Sequence, residues 1–247
     1  MKENKLNKLY ILPNLFTTFN LFCGFYSIIA TLQGSFFKAS IAIIVAGLFD
    51  ALDGRIARLT RTTSLFGSEY DSLCDLVSFG VAPALLVHQW ALGSFGRYGW
   101  LAAFLYVATT ALRLARFNTS DSHESLHYFT GLPCPAAAYM ISTTFMFFSF
   151  FGLTGRLFET LVLILVYSLS YLMVSSHQYM SLKKPETLRT KTLQGLVAMV
   201  LIIIVLATEP QITFFLVTLA YILSAPTYKL YSFIRQGEES RSRKELR

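Results

Sequence analysis

The chain has 247 residues, of which 54% are hydrophobic and only 14% charged, with a formal net charge of +7. A soluble globule carries about a quarter charged residues, so this composition excludes an ordinary water-soluble domain and points to lipid. Nucleic acid is excluded as a partner, because the basic residues lie between apolar runs rather than on one face beside groove-reading elements.

Apolar runs between charged or turn-rich breaks predict eight spans, near 12–33, 36–53, 72–93, 98–115, 135–152, 157–176, 193–208 and 211–231. A helix rises about 1.5 Å per residue, so about 20 residues cross a hydrocarbon core about 30 Å thick. The expected fold is an all-α polytopic membrane bundle of six core transmembrane helices followed by a C-terminal hairpin. One domain covers 1–235, with its core at about 10–180, and 236–247 form a polar tail. The lead-in Met1–Tyr10 carries Lys2, Lys5 and Lys8 like the start of a secretory signal, but no small-residue cleavage site follows cleanly. It reads as an amphipathic approach to a retained first helix.

Apart from Lys38, Arg97 and Arg156, the 21 lysines and arginines fall in the two tails and in alternate loops. That asymmetry predicts a multi-pass protein of the cell membrane with both termini in the cytoplasm. Cys23, Cys74 and Cys134 lack the paired spacing of a zinc site or disulfide framework and read as packed thiols. His88, His123, His127 and His177 are scattered without ligand spacing.

Chemistry concentrates between the second and third spans. The sequence there runs Asp50-Ala-Leu-Asp53-Gly54-Arg-Ile-Ala57-Arg58, then eight residues, then Gly67-Ser-Glu-Tyr-Asp71-Ser-Leu-Cys-Asp75. Helical spacing puts Asp50 and Asp53 on one face and Asp71 and Asp75 on one face of the next helix. Four carboxylates at a membrane boundary are costly without compensating positive charge. Oxygen ligands without neighbouring His or Cys suit Mg²⁺ or Mn²⁺, and a pair of such ions can clamp a diphosphate. Gly54, Ala57 and Gly67 leave room for a phosphate or nucleotide to approach the backbone, Arg58 can neutralise phosphate charge, and Ser64 can donate a hydrogen bond to the same group.

The segment Asp50–Asp75 resembles, at every position, the signature of the CDP-alcohol phosphatidyltransferases: Asp, two residues, Asp-Gly, two residues, Ala-Arg, eight residues, Gly, three residues, Asp, three residues, Asp. The resemblance implies a dimeric helical bundle with a polar cavity facing the cytoplasm. It implies that Asp50, Asp53, Asp71 and Asp75 are metal ligands, that Asp75 also takes the acceptor hydroxyl's proton, and that Gly54, Arg58 and Ser64 bind the CDP-lipid. Upstream, Asn14-Leu-Phe-Thr17 looks like the family segment that reaches the nucleotide; its plain alternative is an N-cap of the first helix.

The stretches Thr17–Gly24, Asp71–Pro83, Leu112–Asn118 and Gly131-Leu-Pro133-Cys-Pro135 look like the phosphatidylserine synthase branch. That resemblance implies CDP-diacylglycerol as donor and L-serine as acceptor. A carboxylate-bearing acceptor needs a fixed cation, for which Arg113 and Arg116 are candidates at the end of the fourth span, with Asn118 as a further partner. Their plain alternative is anchoring at the interface. The rival expectations are another acceptor, such as glycerol 3-phosphate, an inositol phosphate or choline, and, from a different class, a cation-coupled transporter.

Overall fold

In the computed structural model the described residues are 2–60, 64–119, 128–175, 178–180 and 208–224. Seven helices are present among them: α1 Lys2–Leu32, α2 Phe36–Thr60, α3 Leu65–Phe95, α4 Arg97–Thr119, α5 Cys134–Phe150, α6 Arg156–Val174 and α7 Pro210–Ser224. The first six stand where the six core spans were expected, and α7 falls within the expected eighth. The expected seventh span, the polar tail and three of the histidines (His123, His127 and His177) lie outside the described residues. One feature was not anticipated: three-residue strands β1 (Tyr128–Thr130) and β2 (Gln178–Met180) pair antiparallel beyond the ends of α4 and α6.

The lead-in and the first span are one continuous helix. Pro13 lies inside it, so Asn14 is a helix-interior residue and not the N-cap its sequence also allowed. α1 ends in a tight reversal: Gly34 adopts φ 73°, its N–H bonds the Thr31 carbonyl at 3.0 Å, and the Ser35 N–H bonds the Ala30 carbonyl at 2.8 Å. Glycine is favoured there because a side chain is strained at positive φ. α2 then returns antiparallel along α1.

Two close approaches set how the hairpin meets the rest of the bundle. Gly24 lies against Ser78 of α3, and Gly47 lies against the Tyr139 hydroxyl of α5, so that a Cβ at either position would collide. The Ser78 hydroxyl donates to the Asn20 carbonyl at 3.0 Å across the first of these contacts.

α3 is the inner helix of the bundle. It widens to π geometry over Leu76–Val81, where the Ala82 N–H reaches back to the Val77 carbonyl, and again over His88–Leu92. The Phe79 carbonyl in the first wide turn accepts from the buried Tyr106 hydroxyl of α4 at 3.1 Å, so this polar group stays satisfied in an apolar setting. Phe79, Leu86, Val87 and Leu92 pack with Tyr106, Met140, Ile141 and Leu169 in the centre.

Among the described residues, Pro13–Leu32, Leu65–Phe95 and Arg156–Val174 are long and apolar enough to cross a membrane. The outer helices α1 and α6 display large apolar side chains such as Phe22, Phe25, Ile164 and Tyr171 outward. A surface of that character is matched by acyl chains rather than by water.

Candidate active site

α1 carries a polar stripe on an otherwise apolar helix: Asn14, Thr17 and Asn20 recur at i, i+3 and i+6 and so share a face. That stripe meets the acidic residues of α2 and α3. Thr17 Oγ1 donates to Asp53 Oδ2 at 2.9 Å, and Asn20 Nδ2 donates to Asp75 Oδ1 at 2.9 Å. Asn14 lies at the start of α3, its Oδ1 within 3.5 Å of where a Cβ on Gly67 would stand. Three side chains of one helix thus reach three parts of the expected motif.

The acids converge as their spacing predicted. Asp50, Asp53 and Asp71 present carboxylate oxygens within 4.8 Å of one another. Asp75 stands slightly apart from that trio but within electrostatic reach of all three. Asp53 and Asp75 are only 4% and 8% exposed. Among the described residues no ion pair reaches any of the four.

Such an arrangement is unstable as bare anions, since each charge is removed from water and set beside its like. Asp71 Oδ1 is buried without a hydrogen-bond partner. An orphaned acceptor, three converging carboxylates and the lack of a basic partner among the described residues together fit a divalent cation bound through oxygen.

The remaining expected residues divide. Ser64 is the N-cap of α3 and accepts from the Gly67 N–H at 3.0 Å, which gives it a structural duty at the start of the helix that carries Asp71 and Asp75. Gly54 follows Asp53 directly and is half-buried, as is Ala57 one turn on. The side chain of Arg58 lies outside the described residues.

Arg113 and Arg116 behave differently from each other. Arg113 is half-buried and donates through Nη1 to Cys134 Sγ at 3.3 Å, while its Nε is buried with no partner. Cys134 is within electrostatic reach of Arg113 and of both Asp75 and Asp50. Arg116 is exposed. Asn118 donates to Glu69 at 3.2 Å and accepts from Ser72 at 3.1 Å, tying α4 to α3.

Asn20 was not among the residues assigned a role from sequence, although it touches the proposed base directly. The signal was there in the three-residue period it shares with Asn14 and Thr17, because a buried amide in an apolar helix is a functional candidate by default. Tyr139, within electrostatic reach of Asp50 and Asp75, was also missed.

Residues 10–172 match the CDP-alcohol phosphatidyltransferase family. The chain belongs to that family. It is similar to the CDP-diacylglycerol–serine O-phosphatidyltransferase of Helicobacter pylori, 40% identical over 179 residues that cover 72% of this chain and 76% of that protein. It is 38% identical to the archaetidylserine synthase of Methanothermobacter thermautotrophicus over 181 residues, 72% and 73% of the two chains. To the CDP-diacylglycerol–serine O-phosphatidyltransferase of Saccharomyces cerevisiae it is 38% identical over 139 residues, 51% of this chain and 50% of that one. With family and apolar helices together, the protein is an integral membrane transferase, and the transporter alternative falls away. Divalent metal is general in the family, and Asp50, Asp53 and Asp71 form the acidic cluster that suits it.

Proposed function

We propose that the protein transfers the phosphatidyl group of CDP-diacylglycerol to the hydroxyl of L-serine, giving phosphatidylserine and CMP. The observation that carries this function is the meeting of Asp50, Asp53 and Asp71 beside a separately held Asp75. The relatives named for serine transfer support the acceptor, and so does a cation, Arg113, that has no carboxylate partner among the described residues.

Asp50, Asp53, Asp71 and Asp75 would hold Mg²⁺ or Mn²⁺, two ions in this scheme, which when bound neutralise the diphosphate of the donor. Asn14, Thr17, Gly54, Ala57, Arg58, Ser64 and Gly67 receive the CDP moiety, the small residues by leaving space and Arg58 by countering phosphate charge. Thr17 holds Asp53, and Asn20 holds Asp75, so each carboxylate has one oxygen fixed by a residue of α1. Asp75 accepts the proton of the serine hydroxyl. The serine oxygen bonds to the lipid-side phosphorus, the bond from that phosphorus to the CMP oxygen breaks, and CMP leaves. Arg113 grips the serine carboxylate, for which a guanidinium fork is well shaped. Arg116 and Asn118 act at the rim.

Acyl chains of the donor lie in the bilayer while the water-soluble acceptor and CMP exchange with the cytoplasm. The weight of basic residues in alternate loops supports this orientation, with both termini inside the cell, and the protein works as a homodimer in the cell membrane.

The test is to supply purified protein with CDP-diacylglycerol and, in parallel, labelled L-serine, glycerol 3-phosphate, inositol phosphate or choline. CMP release is expected with L-serine, to cease with EDTA, and to return with Mg²⁺ or Mn²⁺. Release with another alcohol in place of serine overturns the acceptor, and full turnover in EDTA overturns the metal. An arm with an ether-linked CDP-lipid decides between the donors implied by the bacterial and archaeal relatives.

A further inference from the structure

The family match ends at residue 172, yet α7, at Pro210–Ser224, is seated on the core. Phe215 stacks on Phe147 of α5 with ring centroids 4.4 Å apart, and the Thr218 hydroxyl meets that of Thr143 at 3.2 Å. Ile222 is buried in the central cluster. These contacts run up α7 while running down α5, so the two helices lie antiparallel. Three residues beyond Thr218, the same face carries Tyr221 toward the Cys134 end of α5, where Arg113 lies.

Arg113 is incompletely satisfied there. Its Nη1 meets only a thiol, a weak acceptor, and its Nε has no partner. A half-buried guanidinium with an unpartnered buried Nε lowers its energy by binding an anion. We propose that α7 forms one wall of the acceptor subsite and that Tyr221 presents its hydroxyl there beside Arg113, as a specificity-determining residue for a small carboxylate-bearing alcohol. Tyr221 is half-buried and close enough to Arg113 to feel the guanidinium charge. A phenol can donate to the same carboxylate that the guanidinium grips, and its ring closes the pocket against lipid.

This inference rests on the assignment of Arg113 to the acceptor, and the experiment separates the two. KM and kcat for L-serine are measured, together with KM for CDP-diacylglycerol, in the parent protein and in Tyr221→Phe, Arg113→Lys and Phe215→Leu. Tyr221→Phe is expected to raise KM for L-serine about tenfold with kcat and the donor KM within about twofold, the pattern of a lost binding contact. Arg113→Lys is expected to raise the same KM, and Phe215→Leu to lower thermal stability while leaving it unchanged. An unchanged KM for L-serine in Tyr221→Phe, with the Arg113→Lys effect present, overturns the role of α7 alone. No change in either variant overturns the acceptor assignment as well. An equal rise in Phe215→Leu overturns the role of the Tyr221 hydroxyl, since packing of α7 would then account for it.

Discussion

At one end of the bundle Asp50, Asp53, Asp71 and Asp75 meet in the interior with no ion pair among the described residues, whereas at the other end Arg156 and Glu159 sit 3.9 Å apart at the surface. The second group has every ordinary comfort. Glu159 accepts from Ser94 at 2.7 Å, and the Arg156 guanidinium lies 4.2 Å from the centroid of the Phe95 ring. Exposed pairs of this kind contribute about 1 kcal/mol or less, and they tie α6 to the end of α3 without selecting any ligand. The acids at the opposite end lower stability unless something positive arrives. A folded chain keeps such a cluster where it needs the cation, so the charge that is poorly accommodated marks the chemistry.

The contrast can be broken in order of expected effect. Replacing Asp75 with Asn keeps its shape and its bond to Asn20 but removes the proton acceptor. CMP release is expected to fall about 10²- to 10⁴-fold, with thermal unfolding in detergent no worse than in the parent. Normal turnover in that variant removes Asp75 as the base. Asn20→Ala takes away the amide that fixes the Asp75 carboxylate, and a loss of about 10- to 100-fold in activity or metal affinity is expected, as for other groups that orient a ligand. Measured Mn²⁺ binding and turnover both unaffected would show that Asp75 is held well enough without it. At the far end, Arg156→Ala is expected to change stability by about 1 kcal/mol or less and leave serine turnover as it was. A large fall in activity there would mean that the two ends are coupled through α3.

The helical architecture and the acidic pairs could be read from the chain because both depend on local spacing. Apolar runs of span length define α1 to α6, and a three- or four-residue separation fixes which face an aspartate takes. What spacing alone did not give was partnership across helices. Arg113 and Arg116 are three residues apart and look equivalent in sequence, yet one contacts Cys134 and the other is exposed. Nothing in the spacing showed that Asn118 bonds Glu69 and Ser72 of the neighbouring helix. The wide turns of α3 were hidden for the same reason, since the Tyr106 hydroxyl that donates to the Phe79 carbonyl comes from a different helix.

Position 47 limits which substitutions the bundle can take. A methyl group there would strike the Tyr139 hydroxyl, and Tyr139 in turn faces the field of Asp50 and Asp75. Enlarging residue 47 would force Tyr139 to move or to be replaced, altering the polarity around the reacting groups. Packing of the second helix on the fifth and the electrical character around Asp50 and Asp75 are therefore linked through one side chain.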